Sequence, residues 1–90
     1  MADPNLYDKL REKLDQEPWP NVYMFKFIVP SDNHKIAMIE SFFEDDAEII
    51  LQPSSNGKYT SVTIRQVMLG SDAIIAVYKQ AEAVEGIISL

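Results

Sequence analysis

Residues 52–64 read "QPSSNGKYTSVTI", and whether this run is a hairpin turn or a free loop decides how the strands around it are ordered. Asn56-Gly57 accept positive φ at little steric cost, Pro53 stops the segment before it, and the Ser54 and Ser55 hydroxyls can bond nearby backbone. On one side, Glu48 to Gln52 is a short apolar strand. On the other, Tyr59 to Met68 alternates, with Val62, Ile64 and Met68 on one face and Ser61, Thr63 and Arg65 on the opposite one. Two such runs joined across Asn-Gly form an antiparallel hairpin.

Upstream, Val22 to Val29, "VYMFKFIV", sets Tyr23, Phe25, Phe27 and Val29 against Val22, Met24, Lys26 and Ile28. A strand apolar on both faces belongs in the middle of a sheet. Pro30 ends it. Ser31 or Asp32 then caps a helix whose inner face is Ile36, Ile39 and Phe43 at i, i+3, i+7, closed by Glu44-Asp45-Asp46. Downstream, Gly70-Ser71-Asp72 opens a helix over Ala73 to Val84 with Ile74, Tyr78 and Ala81 inward, and Gly86 releases the chain into a last strand, Ile87 to Leu90. The order β-α-β-β-α-β predicts an α+β fold of the ferredoxin-like kind: a four-stranded antiparallel sheet with both helices on one face. The aromatic strand and Tyr59 to Met68 are central, and the other two strands are edges.

Ahead of this unit, Asp3 caps a further helix that starts at Pro4, where the missing N–H is harmless. Leu6, Leu10 and Leu14 give it one apolar stripe that needs a surface to dock on. Pro18 and Pro20 exclude helical geometry around Trp19, which reads as a plug over the edge of the core. The chain thus divides into an N-terminal helix with a Pro-rich connection, residues 1–18, and a single ferredoxin-like domain, residues 19–90.

Ninety residues supply one core and no room for a separate catalytic domain. The formal charge of −6 sets the molecule's field against phosphate backbones and anionic lipid, so neither nucleic acid nor a membrane is an expected partner. With no cysteine, disulfides, thiolate metal sites and thiol nucleophiles are excluded together. Lacking a basic segment followed by an apolar run, the N-terminus predicts a soluble, cytoplasmic protein of bacterial type.

The chemistries this fold hosts each leave a signature. Single-stranded RNA readers stack bases on sheet aromatics, but of the run Lys58 to Ile64 only Tyr59 and Val62 fit that pattern. A metal chaperone needs paired cysteines, and an acylphosphatase needs an arginine in the first loop, where Val29 to Asn33 offers Asp32 instead. His34 has no spacing that joins it to Ser54 or Ser55 in a hydrolytic triad. Glu44, Asp45, Asp46 and Glu48 lack the spaced ligands and central glycine of a calcium loop. Gly57, Gly70 and Gly86 stand too far apart for a phosphate loop. The expectation is a protein that is not an enzyme and carries no cofactor or metal.

Pro53 to Ile64 resembles the "KPSSKGNYHSVSITI" signature of the YbeD-like bacterial family, a domain of unknown function, and the likeness extends loosely over about residues 10 to 90, through Leu14 to Pro20, the first strand and Val77-Tyr78. Gln52 stands where the family often has lysine, and Asn56 and Lys58 exchange polar identity. The resemblance implies a ferredoxin-like fold similar to ACT regulatory domains, which bind small molecules, often between paired copies. Pro30-Ser31-Asp32-Asn33 lacks the glycine that such domains typically carry near the ligand.

Two working surfaces follow. The first is the sheet face not covered by helices, where Lys26, Ser61, Thr63 and Arg65 gather beside Met24 and Val67, suited to a non-catalytic regulatory or protein-interaction module with a protein partner or a second copy. The second is the hairpin, where Ser54, Ser55, Asn56, Gly57, Lys58 and Tyr59 form a candidate nest for a small metabolite or anion.

Overall fold

The central strand β1 spans Asn21–Pro30 and alternates as its sequence demands: Phe25, Phe27 and Val29 are fully buried, while Val22, Met24 and Lys26 are exposed. The computed structural model describes residues 4–90, with side chains from Leu6 onward. Its other elements are α1 (Pro4–Asp15), α2 (Asn33–Glu40), β2 (Glu48–Pro53), β3 (Tyr59–Met68), α3 (Ser71–Ala81) and β4 (Ile88–Ser89). The expected cap at Asp3 lies outside the described residues.

The four strands form one antiparallel sheet in the order β2-β3-β1-β4, the ferredoxin-like topology. β1 pairs along its whole length with β3, from Asn21 opposite Met68 to Pro30 opposite Tyr59. In the hairpin, Glu48 lies opposite Arg65 and Pro53 opposite Thr60. Gly57 takes φ 74, and Ser54 N donates to Tyr59 O at 2.7 Å, so the Asn-Gly turn forms as its chemistry requires.

One side of the sheet carries the core. Ile39 of α2 and Ile74, Val77 and Ala81 of α3 join Phe25, Phe27, Val62 and Ile64 there. An aromatic cluster sits at its centre: Tyr23 meets Phe25 edge-on at 4.8 Å, Phe43 meets Phe25 at 5.1 Å, and the Tyr23 and Tyr78 hydroxyls share a hydrogen bond of 2.9 Å. Burial, with that hydrogen bond second, pushes the Tyr78 phenol above its ordinary range.

Three elements, α2, α3 and β4, are shorter or shifted relative to the sequence reading. α2 ends at Glu40 rather than running to Phe43, because Phe42 N and Phe43 N turn back to Ile39 O and Glu40 O and the Glu44 amide donates to the Gln66 side chain of β3 at 2.8 Å. Those tighter turns still deliver Phe43 to the core. α3 begins two residues early, at Ser71, whose hydroxyl donates to Asp15 Oδ1 at 2.6 Å, and it ends at Ala81; beyond it, Val84 is held by a turn and remains buried. β4 contracts to Ile88–Ser89, although the Leu90 amide still donates to Lys26 O at 2.9 Å.

The leucine stripe of α1 finds its surface on α3. Leu14 is buried, Leu10 half-buried and Leu6 exposed. Polar groups flank the seam, where Arg11 pairs with Asp72 and the Tyr7 hydroxyl donates to Glu82. Trp19 closes the end of α1, its indole N–H donating to Leu14 O at 2.7 Å.

Candidate functional site: the open sheet face and its hairpin rim

Because side chains alternate along a strand, burying Phe25, Phe27, Val62 and Ile64 under the helices forces their neighbours onto the opposite face. The strand pairing then sets these neighbours in rows across the sheet. Val22 lies opposite Val67; Met24, Arg65 and Glu48 form the next row; Lys26, Thr63 and Ile50 the third; and Ile88, Ile28, Ser61 and Gln52 the fourth. No described helix packs on this side. Met24 and Val67 are each 57% exposed and Ile50 is 51% exposed.

The face does not share the strong negative charge of the molecule. Lys26 and Arg65 stand there with Glu48, and Asp46 borders its Val22–Val67 corner. The other described carboxylates lie on the helices and the loops that join them. Among the described residues the ion pair is Arg11–Asp72, on the helical side; Lys26 and Arg65 make none, although Glu48 stands directly opposite Arg65. Groups with displaced pKa values also belong to the helical side. Burial, followed by the bond to Glu82, pushes Tyr7 up to about 12, and the hydrogen bond to Asp72 raises Arg11.

The structure brings together only part of the hairpin candidate. Ser54, Ser55 and Tyr59 line a shallow depression of about 320 Å³ with Ile28, Gln52, Pro53 and Ser61, where the hairpin meets the open face. Asn56, Gly57 and Lys58 do not line it. Asn56 Oδ1 accepts from the Ser54 hydroxyl at 2.9 Å and from the Lys58 amide at 3.0 Å, and the Ser54 oxygen accepts from the Tyr59 amide at 3.1 Å. These groups are consumed in holding the turn. Of the open-face candidates, Lys26 and Arg65 are exposed, whereas Ser61 and Thr63 are half-buried between longer neighbours, Ser61 also donating to Gln52 O at 3.3 Å.

Sequence reasoning missed Ile50 and Ile88 as members of this surface, whereas alternation already aligned Ile28 with Met24 and Lys26. The run Ile49-Ile50-Leu51 hides its alternation because all three residues are apolar, and only the register opposite Thr63 assigns Ile50 its face. It also missed a groove of about 700 Å³ at the end of the molecule, with Phe42, Phe43, Val67, Leu69 and Val77 among its walls and Glu44, Asp45 and Asp46 at its rim. Among the described residues no cluster of three or more histidine or carboxylate groups is arranged to hold a metal ion. His34 is exposed in the first turn of α2, where its amide donates to the Asp32 cap at 2.8 Å. No described helix is long and apolar enough to cross a membrane.

Comparison with known proteins agrees with the hairpin signature. The family model described as "Protein of unknown function (DUF493)" matches residues 17–90. A "UPF0250 protein" of Shewanella halifaxensis (strain HAW-EB4) is 31% identical over 85 residues, covering 90% of each chain. No solved structure matches. The chain therefore belongs to the DUF493 family of proteins of unknown function, the YbeD-like group that its hairpin signature resembles.

Proposed function

We propose that this chain is a non-catalytic protein-interaction module, regulatory in effect, that docks an acidic segment of a partner protein on its open sheet face. One observation carries the reading: Val22, Met24, Val67, Ile50 and Ile88 are exposed on a face whose cations, Lys26 and Arg65, make no ion pair among the described residues, in a protein of net charge −6. An apolar strip flanked by cations matches a partner that presents apolar side chains bordered by Asp or Glu. Two copies meeting face to face would gather the Lys26 and Arg65 cations of both into one interface. A heterotypic partner avoids that cost.

Affinity capture with the purified chain at low and moderate salt tests the idea. The wild type should retain an acidic protein whose recovery falls with ionic strength. The double variant Lys26→Glu/Arg65→Glu should lose it while keeping the wild-type melting temperature. An identical retained set for both proteins refutes the proposal.

A second reading rests on the depression lined by Ser54, Ser55 and Tyr59. It would take a small molecule with one apolar edge against Ile28 and Pro53 and a polar group that bonds the Ser55 hydroxyl. A metabolite panel followed by thermal denaturation decides the matter: a ligand at 100 times its Kd adds about 2.7 kcal/mol. That gain should vanish in Ser55→Trp, which fills the depression, and a melting temperature unmoved by every compound excludes the reading.

A further inference from the structure

The outer edge of β2 is built to pair with itself, and we infer that two copies of this chain join antiparallel along β2, Ile50 against Ile50, to form a continuous eight-stranded sheet. This goes beyond the docking proposal, using the edge of the sheet rather than its face.

The hydrogen-bond phase of the sheet supplies the first step. Ser54 N donates to Tyr59 O, and Ser54 stands opposite Tyr59 in the hairpin register, so Gln52, Ile50 and Glu48 direct their backbone groups toward β3. Ile49 and Leu51 direct their N–H and C=O outward, and Pro53 turns out a carbonyl alone. β2 ends the sheet order, so no described strand meets these groups.

Edge strands of monomers are commonly protected by lysine, an interior proline, a bulge or extreme brevity. β4, at two residues, is protected by brevity. β2 is only lightly protected: its one charge, Glu48, and its one proline, Pro53, stand at its two ends, its six residues pair with β3 without a break, and Leu51 is 45% exposed.

Self-pairing then has one well-matched register. Centring the two-fold axis on Ile50 sets Ile49 opposite Leu51 of the second copy and Leu51 opposite its Ile49, so every outward N–H and C=O of these residues finds a partner in four hydrogen bonds. Glu48 faces the second copy's Gln52, which avoids a like-charge opposition. A shift toward Pro53 leaves the Ile49 carbonyl without a donor. A shift the other way calls on Ala47, whose N–H already donates to Glu44 O. In the favoured register Ile50 meets its twin on the open face, and two Ile49–Leu51 pairs form on the helical face.

Reciprocal charge substitution tests this pairing at an exposed position that the fold does not require. Light scattering of the wild type should give twice the chain mass at high concentration. Ile50→Lys and Ile50→Glu should each weaken the dimer at least tenfold, and an equimolar mixture should restore it as a heterodimer. In this cysteine-free chain, Ile50→Cys should also oxidise to a linked dimer, since the paired Cα atoms would lie about 4.5 Å apart. Glu48→Cys, roughly 13 Å along the strand from its twin, should not. A wild type that stays monomeric, or equal cross-linking at both positions, overturns the inference. Dimer mass is read without any partner protein, so failure here is separable from failure of face docking.

Discussion

Replacing Leu14 with alanine asks whether α1 belongs to the folded unit or rides on it. Leu14 is 4% exposed and lies in the same cluster as Phe25, Ile74 and Val77, whereas Leu6, two turns earlier on the same stripe, is 62% exposed. A buried Leu→Ala change costs roughly 2.7 to 5 kcal/mol, from lost transfer free energy and the cavity left behind. For a chain of 90 residues, whose total stability is on the order of 5 to 13 kcal/mol, about 3 kcal/mol is a quarter or more of the whole. At roughly 4 to 8 °C per kcal/mol the melting temperature should fall by about 12 to 24 °C. The same change at Leu6 should stay within about 0.5 kcal/mol. Urea unfolding followed by circular dichroism at 222 nm, with thermal melts alongside, measures both. Equal effects at the two positions, or a loss below about 1 kcal/mol at Leu14, would refute the docking of α1 on α3 described above.

Further outcomes follow from the backbone and from the tyrosines. Gly86 takes φ 82 and a Cβ added there would meet Pro30 Cγ at 3.0 Å, while Gly57 at φ 74 has open space around the same position. In denaturant melts, Gly86→Ala should therefore cost more than Gly57→Ala, whose penalty is the αL strain of roughly 1 to 2 kcal/mol alone. Tyr7, whose pKa burial and Glu82 push up to about 12, contributes stability that is complete below its unfolded pKa near 10. That contribution is lost between about pH 10 and 12, because over this window the unfolded chain releases a proton that the native one keeps. Tyr7→Phe should flatten the decline of stability across those pH values. Its tyrosinate absorbance at 295 nm should lack one late-titrating group.

Period-2 and period-3.6 patterns made much of the fold readable. Phe25, Phe27 and Val29 could only face one way, and the Asn56-Gly57 turn fixed which strand followed which, so strand order emerged from local chemistry. What escaped was decided by contacts distant in sequence. The spacing of Ile36, Ile39 and Phe43 suits a helix three residues longer than α2, but Gln66 of β3 captures the Glu44 amide and the chain turns early. The leucine stripe announced that α1 would dock without revealing that Asp72, Glu82 and Ser71 of α3 and its following turn would receive its polar flank.

The candidate surfaces divide the same way. Lys26 and Arg65 could be placed on the open face by alternation alone. Ile50 could not, since an unbroken apolar run carries no phase until its partner strand is known. The hairpin serines were conspicuous as residue types, yet the Ser54 hydroxyl and the Asn56 amide hold the turn, a use visible only in the hydrogen bonds.

Site-specific photo-cross-linking tests most directly whether the open sheet face is the working surface. A photoreactive side chain at Val67, on that face, should yield a discrete adduct with an acidic protein in extract, while the same group at equally exposed Leu6 on α1 should not. Adducts of equal yield from both positions, or an adduct from Leu6 alone, would contradict the account.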